Sequence, residues 1–366
     1  MNDSRKSIRV LVAPLDWGLG HTTRCIPIIG QLLQNGCEVV LAAEGASARL
    51  LAREFPQLEL KSLEGYRIRY GKNNFFFNIL LQLPGIFRSI TKERKWLEHL
   101  LSTEKFDIII SDNRPGLHSN NAYCVYITHQ LRIQSGISSW LNDRLQQLHT
   151  RYMKKFNKVW VPDASSDDHN LAGKLSHPAK QRLAVDYLGL LSRFRTKGHT
   201  PKTYDLMCLL SGPEPQRSLL EQQCVEELKQ FQGKALLVRG LPGDTSALSV
   251  SNNIKVEQHL NAAELQAAIE ESTLVICRSG YTTLMDLMKL KQKAVLIPTP
   301  GQTEQEYLAA YMQASNYFPY LLQKDFSLKE AFHLSQQFSY THPFDIKDFE
   351  HYREVVDELI TRISKS

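Results

Sequence analysis

The chain has 366 residues, 42% hydrophobic and 22% charged, which excludes a disordered or fibrous protein and, at about 150 residues per domain, suggests two domains. A net charge of +6 is too modest to imply a nucleic-acid partner. Cysteines 25, 37, 124, 208, 224 and 277 form no C-x-x-C pair, so neither a disulfide framework nor a zinc site is expected. The N-terminal apolar run is short for a signal peptide, and no segment reaches the roughly 18 apolar residues of a membrane span. A cytoplasmic protein is expected.

In chain order, short β-branched runs alternate with helix-period stretches. IRVLVAP (8–14) precedes the helical TTRCIPIIGQLLQNG (22–36), and CEVVLAA (37–43) precedes a helix near 46–54. FDIIIS (106–111), YCVYIT (123–128) and KVWVP (158–162) continue the βαβ rhythm of a parallel sheet covered on both faces. The polar stretch RTKGHTPKT (195–203) is the best linker. Beyond it YDLMCLLS, KALLVRG, NIKVEQHL, TLVICRSG and KAVLIPTP predict five further strands. The fold class expected is α/β, with Rossmann-like parallel-sheet domains at 1–192 and 203–345 and a terminal helical stretch, 346–366, packing back across the junction.

In open parallel sheets ligands bind beyond the carboxyl ends of strands. The polar clusters lie there: DWGLGH, SDNRPG and THQLR in the first half, SGPEPQR, RSGYTT and TPGQTEQE in the second. Ser279 and Gly280 follow a strand and open a helix, where free N–H groups favour a phosphate; Ser and Thr also serve there simply as caps. Asp286, further along that helix, suits the hydroxyls of a ribose. Gln305 and Glu306, in the next βα unit, can read sugar hydroxyls or be ordinary first-turn residues.

His21 lies where the first strand gives way to the first helix, in place for a general base or a helix cap. Asp112, His129 and Gln130, also at strand ends, orient His21 or bind an acceptor. No motif implies a metal.

Four segments resemble the GT-B nucleotide-sugar glycosyltransferases, most closely family 28, the group of the peptidoglycan lipid-precursor N-acetylglucosaminyltransferase. They are DWGLGHTTR (16–24), HLNAAEL (259–265), CRSGYTTLMDL (277–287) and IPTPGQTEQEY (297–307). The resemblance implies two Rossmann-like domains facing each other across a cleft, and a hexose or N-acetylhexosamine moved from a UDP-sugar to an acceptor hydroxyl, with inversion and no cofactor or metal. Uracil would sit near Leu260 and the diphosphate near Ser279, Gly280 and Thr282, with Arg278 and Thr283 in the same motif. Asp286 would take the ribose, Gln305 and Glu306 the hexose. His21 and Asp112 would be catalytic; Asp16, Gly18, Gly20, His129 and Gln130 would meet a glycan or lipid-linked acceptor.

Three departures bear on this reading. Asp286 stands where the family has Glu, and Glu306 where it has the second Gln of a pair. SGPEPQR replaces a Gly-Gly-Ser type loop, placing proline where a phosphate-binding N–H is expected; Ser211, Gly212 and Arg217 remain for the diphosphate. Rival readings are a UDP-sugar hydrolase, a 2-epimerase of the same architecture and a non-catalytic nucleotide-sugar sensor.

Residues 66–96 carry seven Lys or Arg against one Glu around the apolar FFFNILLQLPGIF. That composition suits an anionic membrane surface on the cytoplasmic side, met by Arg67, Arg69, Lys72, Arg88, Lys92, Arg94 and Lys95. Alternatively, Phe75 to Phe77 and Leu80 to Leu83 pack on the N-terminal sheet and leave the charges solvated.

Overall fold

The β-branched runs form two wholly parallel sheets in the computed structural model, which describes residues 7–66, 75–133, 139–178, 183–195, 198, 200–242 and 245–365. The first sheet contains β1 (Arg9–Pro14), β2 (Glu38–Ala43), β3 (Glu59–Ser62), β4 (Ile108–Asp112), β5 (Tyr123–Ile127), β6 (Lys158–Val161) and β7 (Val185–Tyr187). Between them run α1 (Leu19–Gln34), α2 (Gly45–Glu54), α3 (Phe75–Thr103) and α4 (Ser139–Met153). Strand order is β3-β2-β1-β4-β5-β6-β7, all neighbours parallel. The order reverses between β1 and β4, and that crevice is the topological switch point where such sheets hold ligands.

A parallel sheet is covered on both faces, so its inner strands are apolar throughout rather than alternating. Every residue of β4 is buried, as are five of the six in β1. Leu11, Val40, Ile109, Cys124 and Val159 share one core cluster. β7 is a correction to the sequence reading, which saw no strand in VDYLGLL. Three residues carry too little periodicity to stand out, and pairing with β6 makes them a strand.

The second sheet contains β8 (Tyr204–Leu209), β9 (Ala235–Val238), β10 (Ile254–Glu257), β11 (Ser272–Cys277) and β12 (Ala294–Leu296), in the order β10-β9-β8-β11-β12. These are the five strands expected. Helices α5 (Gln216–Leu228), α6 (Ala262–Glu270), α7 (Tyr281–Lys289), α8 (Thr303–Ala314) and α9 (Leu328–Gln337) accompany them, with α10 (Ile346–Glu350) and α11 (Tyr352–Ser364) after. Leu206, Cys208, Leu237, Ile276 and Val295 form the second core.

Two compact units result: Met1–Ile68, Ile79–Ser192 and Asp345–Ser366 in the first, Arg69–Asn78 and Arg193–Phe344 in the second. Helix α11 lies on α1, where Asp357 accepts hydrogen bonds from Gln31 (2.6 Å) and Asn35 (2.7 Å). All six cysteines are buried and free. Of the linker, residues 196, 197 and 199 lie outside the described residues, as do Arg67, Arg69 and Lys72 and the side chains of Phe75 to Phe77, Leu80 and Leu81. Among the described residues no helix is long and apolar enough to cross a membrane.

Candidate functional site

At the switch point of the first sheet, α1 begins at Gly18, whose φ of 84° is the left-handed conformation that favours glycine. No side chain caps this helix. The turn brings His21, in the first helical turn, to the end of β4, where its Nδ1 lies 2.9 Å from Asp112 Oδ1. His21 is therefore a dyad partner and not a cap. Register keeps the two together, since Asp112 pairs with Pro14 of β1 and its carbonyl accepts the Leu15 N–H at 3.0 Å.

Arg24, one turn beyond His21, completes the cluster. Its Nε donates to Asp112 Oδ2 at 2.5 Å, its Nη2 donates to Oδ1, and Nη1 lies 3.1 Å from His129 Nδ1. Burial alone would raise the Asp112 pKa, but Arg24 and then His21 override it and hold the carboxyl well below the usual range. The carboxylate therefore carries no proton, and the tautomer in which His21 Nδ1–H donates to it leaves Nε2 as the base. Arg24 Nη2 is also 2.8 Å from Nδ1; its charge adds to burial in pushing the His21 pKa down, against the pull of Asp112. The imidazole is neutral at pH 7, and 16% of its side chain is exposed.

Arg24 carries no role in the sequence reading, although its i, i+3 spacing from His21 puts both on one helical face. Arg114 and Glu93 are likewise missed. Arg114 is fully buried; its Nε donates to Pro14 O (2.9 Å) and Nη1 to Glu93 Oε1 (3.0 Å). Burial pushes the Glu93 carboxyl up to about 7, against Arg114 and the Tyr66 hydroxyl that donates to it. These bonds brace the end of β1 that leads into the DWGLGH loop. Asp16 in that loop accepts the Tyr66 N–H (3.2 Å) and lies 3.9 Å from Arg114. His129 is buried just beyond β5, while Gln130 is partly exposed and its N–H donates to Thr128 Oγ1. Gly20 is in the first turn of α1 beside His21.

In the second unit α7 starts at Gly280 with no side-chain cap, so Ser and Thr capping does not explain RSGYTT. Ser279 is buried, and its hydroxyl donates to Gln305 O at 2.8 Å. Thr282 and Thr283, partly exposed, occupy the uncapped first turn. Asp286 lies in the second turn, 8% exposed. Partly exposed Leu260 directly precedes the capping box of α6, made by Asn261 and Glu264. Ser211 and Gly212 are exposed after β8.

Two expected ligand contacts have partners within the protein. The guanidinium of Arg217 is spent on Glu214 (2.6 Å) and Glu221, and Arg278, 1% exposed, donates to the carbonyls of Ile297 (3.1 Å), Pro298 (3.2 Å) and Gln216 (2.7 Å). Both are buried, and a buried charge takes whatever internal acceptors are close. Gln305 and Glu306 also face inward in part: Gln305 Oε1 accepts the Thr299 N–H (2.9 Å), and Glu306 Oε1 accepts the Gly301 N–H (2.8 Å). Among the described residues no three His, Cys, Asp or Glu side chains cluster as a metal site would need.

Two all-parallel sheets, each with its polar groups gathered at strand ends beside an uncapped helix start, are the architecture of the GT-B fold. Comparison with known proteins agrees with that fold. Residues 217–341, within the second unit, match the glycosyltransferase family 28 C-terminal domain. Among its relatives is the UDP-N-acetylglucosamine--N-acetylmuramyl-(pentapeptide) pyrophosphoryl-undecaprenol N-acetylglucosamine transferase of Haemophilus ducreyi, 24% identical over 211 residues. That alignment spans 56% of this chain and 56% of the transferase. An uncharacterized glycosyltransferase of Methanosarcina acetivorans is 23% identical across 85% of this chain and 84% of its own length. The crystal structure of the glycotransferase of kitacinnamycin superposes with a TM-score of 0.64 over 98% of this chain and 95% of its own, at 12% identity, a likeness of fold.

Proposed function

We propose that this protein is a nucleotide-sugar glycosyltransferase that moves a hexose or N-acetylhexosamine from a UDP-sugar to an acceptor hydroxyl on a glycan or lipid-linked molecule. The observation that carries this reading is the His21–Asp112 dyad, a neutral imidazole with its second nitrogen free. His21 Nε2 takes the proton of the acceptor hydroxyl as its oxygen attacks the anomeric carbon. The bond from that carbon to the diphosphate oxygen breaks, inverting the centre. The leaving UDP gathers charge at the start of α7, whose N–H groups and dipole stabilise an oxyanion without a metal.

A panel of UDP-sugars, with UDP release followed with and without candidate acceptors, tests the proposal. Acceptor-dependent release is expected. Release at full rate without acceptor would make the protein a hydrolase, and no release with any sugar would make it a sensor.

Asp286 is assigned to the ribose. Asp286→Ala is expected to weaken UDP binding by about 1.5–3 kcal/mol, the scale of a hydrogen bond to a charged group, with turnover at saturating donor little changed. Calorimetry that returned wild-type affinity would take Asp286 out of the site.

The acceptor reading extends to a peripheral site on an anionic membrane surface. Arg88, Lys92 and Lys95 are exposed on α3, Phe87 is 38% exposed, and Lys92 also pairs with Glu64 at 3.0 Å. Arg94 is tied to Glu98 and the His118 carbonyl, so changing it would disturb helix docking as well. At about 1 kcal/mol per basic residue near such a surface, three engaged residues give reversible attachment. Wild type is expected to co-sediment with anionic liposomes at low salt, and Arg88, Lys92 and Lys95 changed together to Glu to abolish it. Absence of wild-type binding would point to a soluble acceptor.

A further inference from the structure

The loop after β12 holds a buried hydroxyl with nothing to bond. Thr299 is 3% exposed, its N–H is used by Gln305, and its Oγ1 is buried without a hydrogen-bond partner. A neutral hydroxyl left unmade inside a protein costs free energy that a valine of nearly the same shape would avoid. Its direction is given by Gly212, in the loop after β8. A Cβ built on Gly212 would meet a single neighbour within 4 Å, Thr299 Oγ1 at 3.8 Å.

Strand order turns that contact into a location. β11 lies between β8 and β12, so a side chain reaching from the β12 loop to the β8 loop passes over the carboxyl end of β11. That is where α7 begins, uncapped, at Gly280. The buried Arg278 guanidinium spans the same gap, from the carbonyls of Ile297 and Pro298 to that of Gln216.

We propose that Thr299 is a binding residue for the diphosphate of the donor, its hydroxyl donating to a phosphate oxygen held at the start of α7. The inference rests on the nucleotide-sugar reading of this unit. It also accounts for the loop SGPEP, in which Pro213 and Pro215 carry no N–H. The donor missing from the β8 loop is supplied from the β12 loop. Gly212, at φ 101°, lies beside the hydroxyl in a backbone conformation that only glycine adopts easily.

The test compares Thr299→Val and Thr299→Ser, with binding of UDP and of inorganic pyrophosphate read by calorimetry and Tm measured without ligand. Thr299→Val is expected to bind both roughly 10- to 100-fold more weakly, the range for a hydrogen bond to a charged group. Its ligand-free Tm should hold or rise, because an unsatisfied hydroxyl has gone. Thr299→Ser should keep affinity within a few fold. Unchanged affinity in Thr299→Val, alongside weakened UDP binding in Asp286→Ala, would overturn the role of Thr299 alone. A fall in Tm with affinity intact would make the hydroxyl structural and overturn it too. Wild type binding neither UDP nor pyrophosphate would overturn both this inference and the reading beneath it.

Discussion

His21→Ala is expected to lower turnover by roughly 10²–10⁴-fold, the usual contribution of a positioned general base, while UDP affinity stays at the wild-type level. The split follows from placement, because His21 belongs to the first unit and the nucleotide is assigned to the second. The pH profile supplies a second readout. Burial and Arg24 push the His21 pKa below its ordinary value, so the base stays unprotonated into acid where a free imidazole would already be charged. Turnover in the wild type should therefore hold as pH falls through 6.5, the unperturbed histidine value, and His21→Ala should abolish the acid limb below it. Lost UDP affinity with unchanged turnover would assign His21 to the donor instead.

The second large effect concerns stability. Asp112→Asn should destabilise the first unit by about 3–5 kcal/mol, the cost of leaving one partner of a buried ion pair uncompensated. Arg24 is 2% exposed and Asp112 fully buried, so water cannot replace the lost charge. The carboxyl is depressed in the folded state, so its stabilising contribution is complete above the ordinary carboxylate pKa and is lost as pH falls toward the folded value. Thermal unfolding should show wild type losing stability in acid, and Asp112→Asn both lower at pH 7 and flatter below about pH 4. A variant within about 0.5 kcal/mol of wild type, the usual span for an indifferent substitution, would mean the Arg24 fork is not holding the turn. Turnover should fall as well, since an amide no longer fixes the His21 tautomer by accepting from Nδ1.

Much of this was legible in the chain itself, because its cause is local. Runs such as IRVLVAP and TLVICRSG are short, β-branched and apolar on both sides, and a strand buried on two faces has that composition wherever it pairs. The glycines and polar groups that follow them mark strand ends, so His21, Asp112 and Asp286 stand out as candidates from position along the chain. Tertiary structure decided what the polar groups are bonded to. Arg24 and Arg278 are both arginines beside a strand-end motif; only the fold shows that one grips Asp112 and the other spans backbone carbonyls of two loops. Arg24 on α1 and Asp112 on β4 are 88 residues apart, and no periodicity encodes their pairing. Thr299 shows the same limit. Its place in IPTPG is unremarkable, and only the fold shows that its hydroxyl is buried without a partner beside Gly212 of the β8 loop.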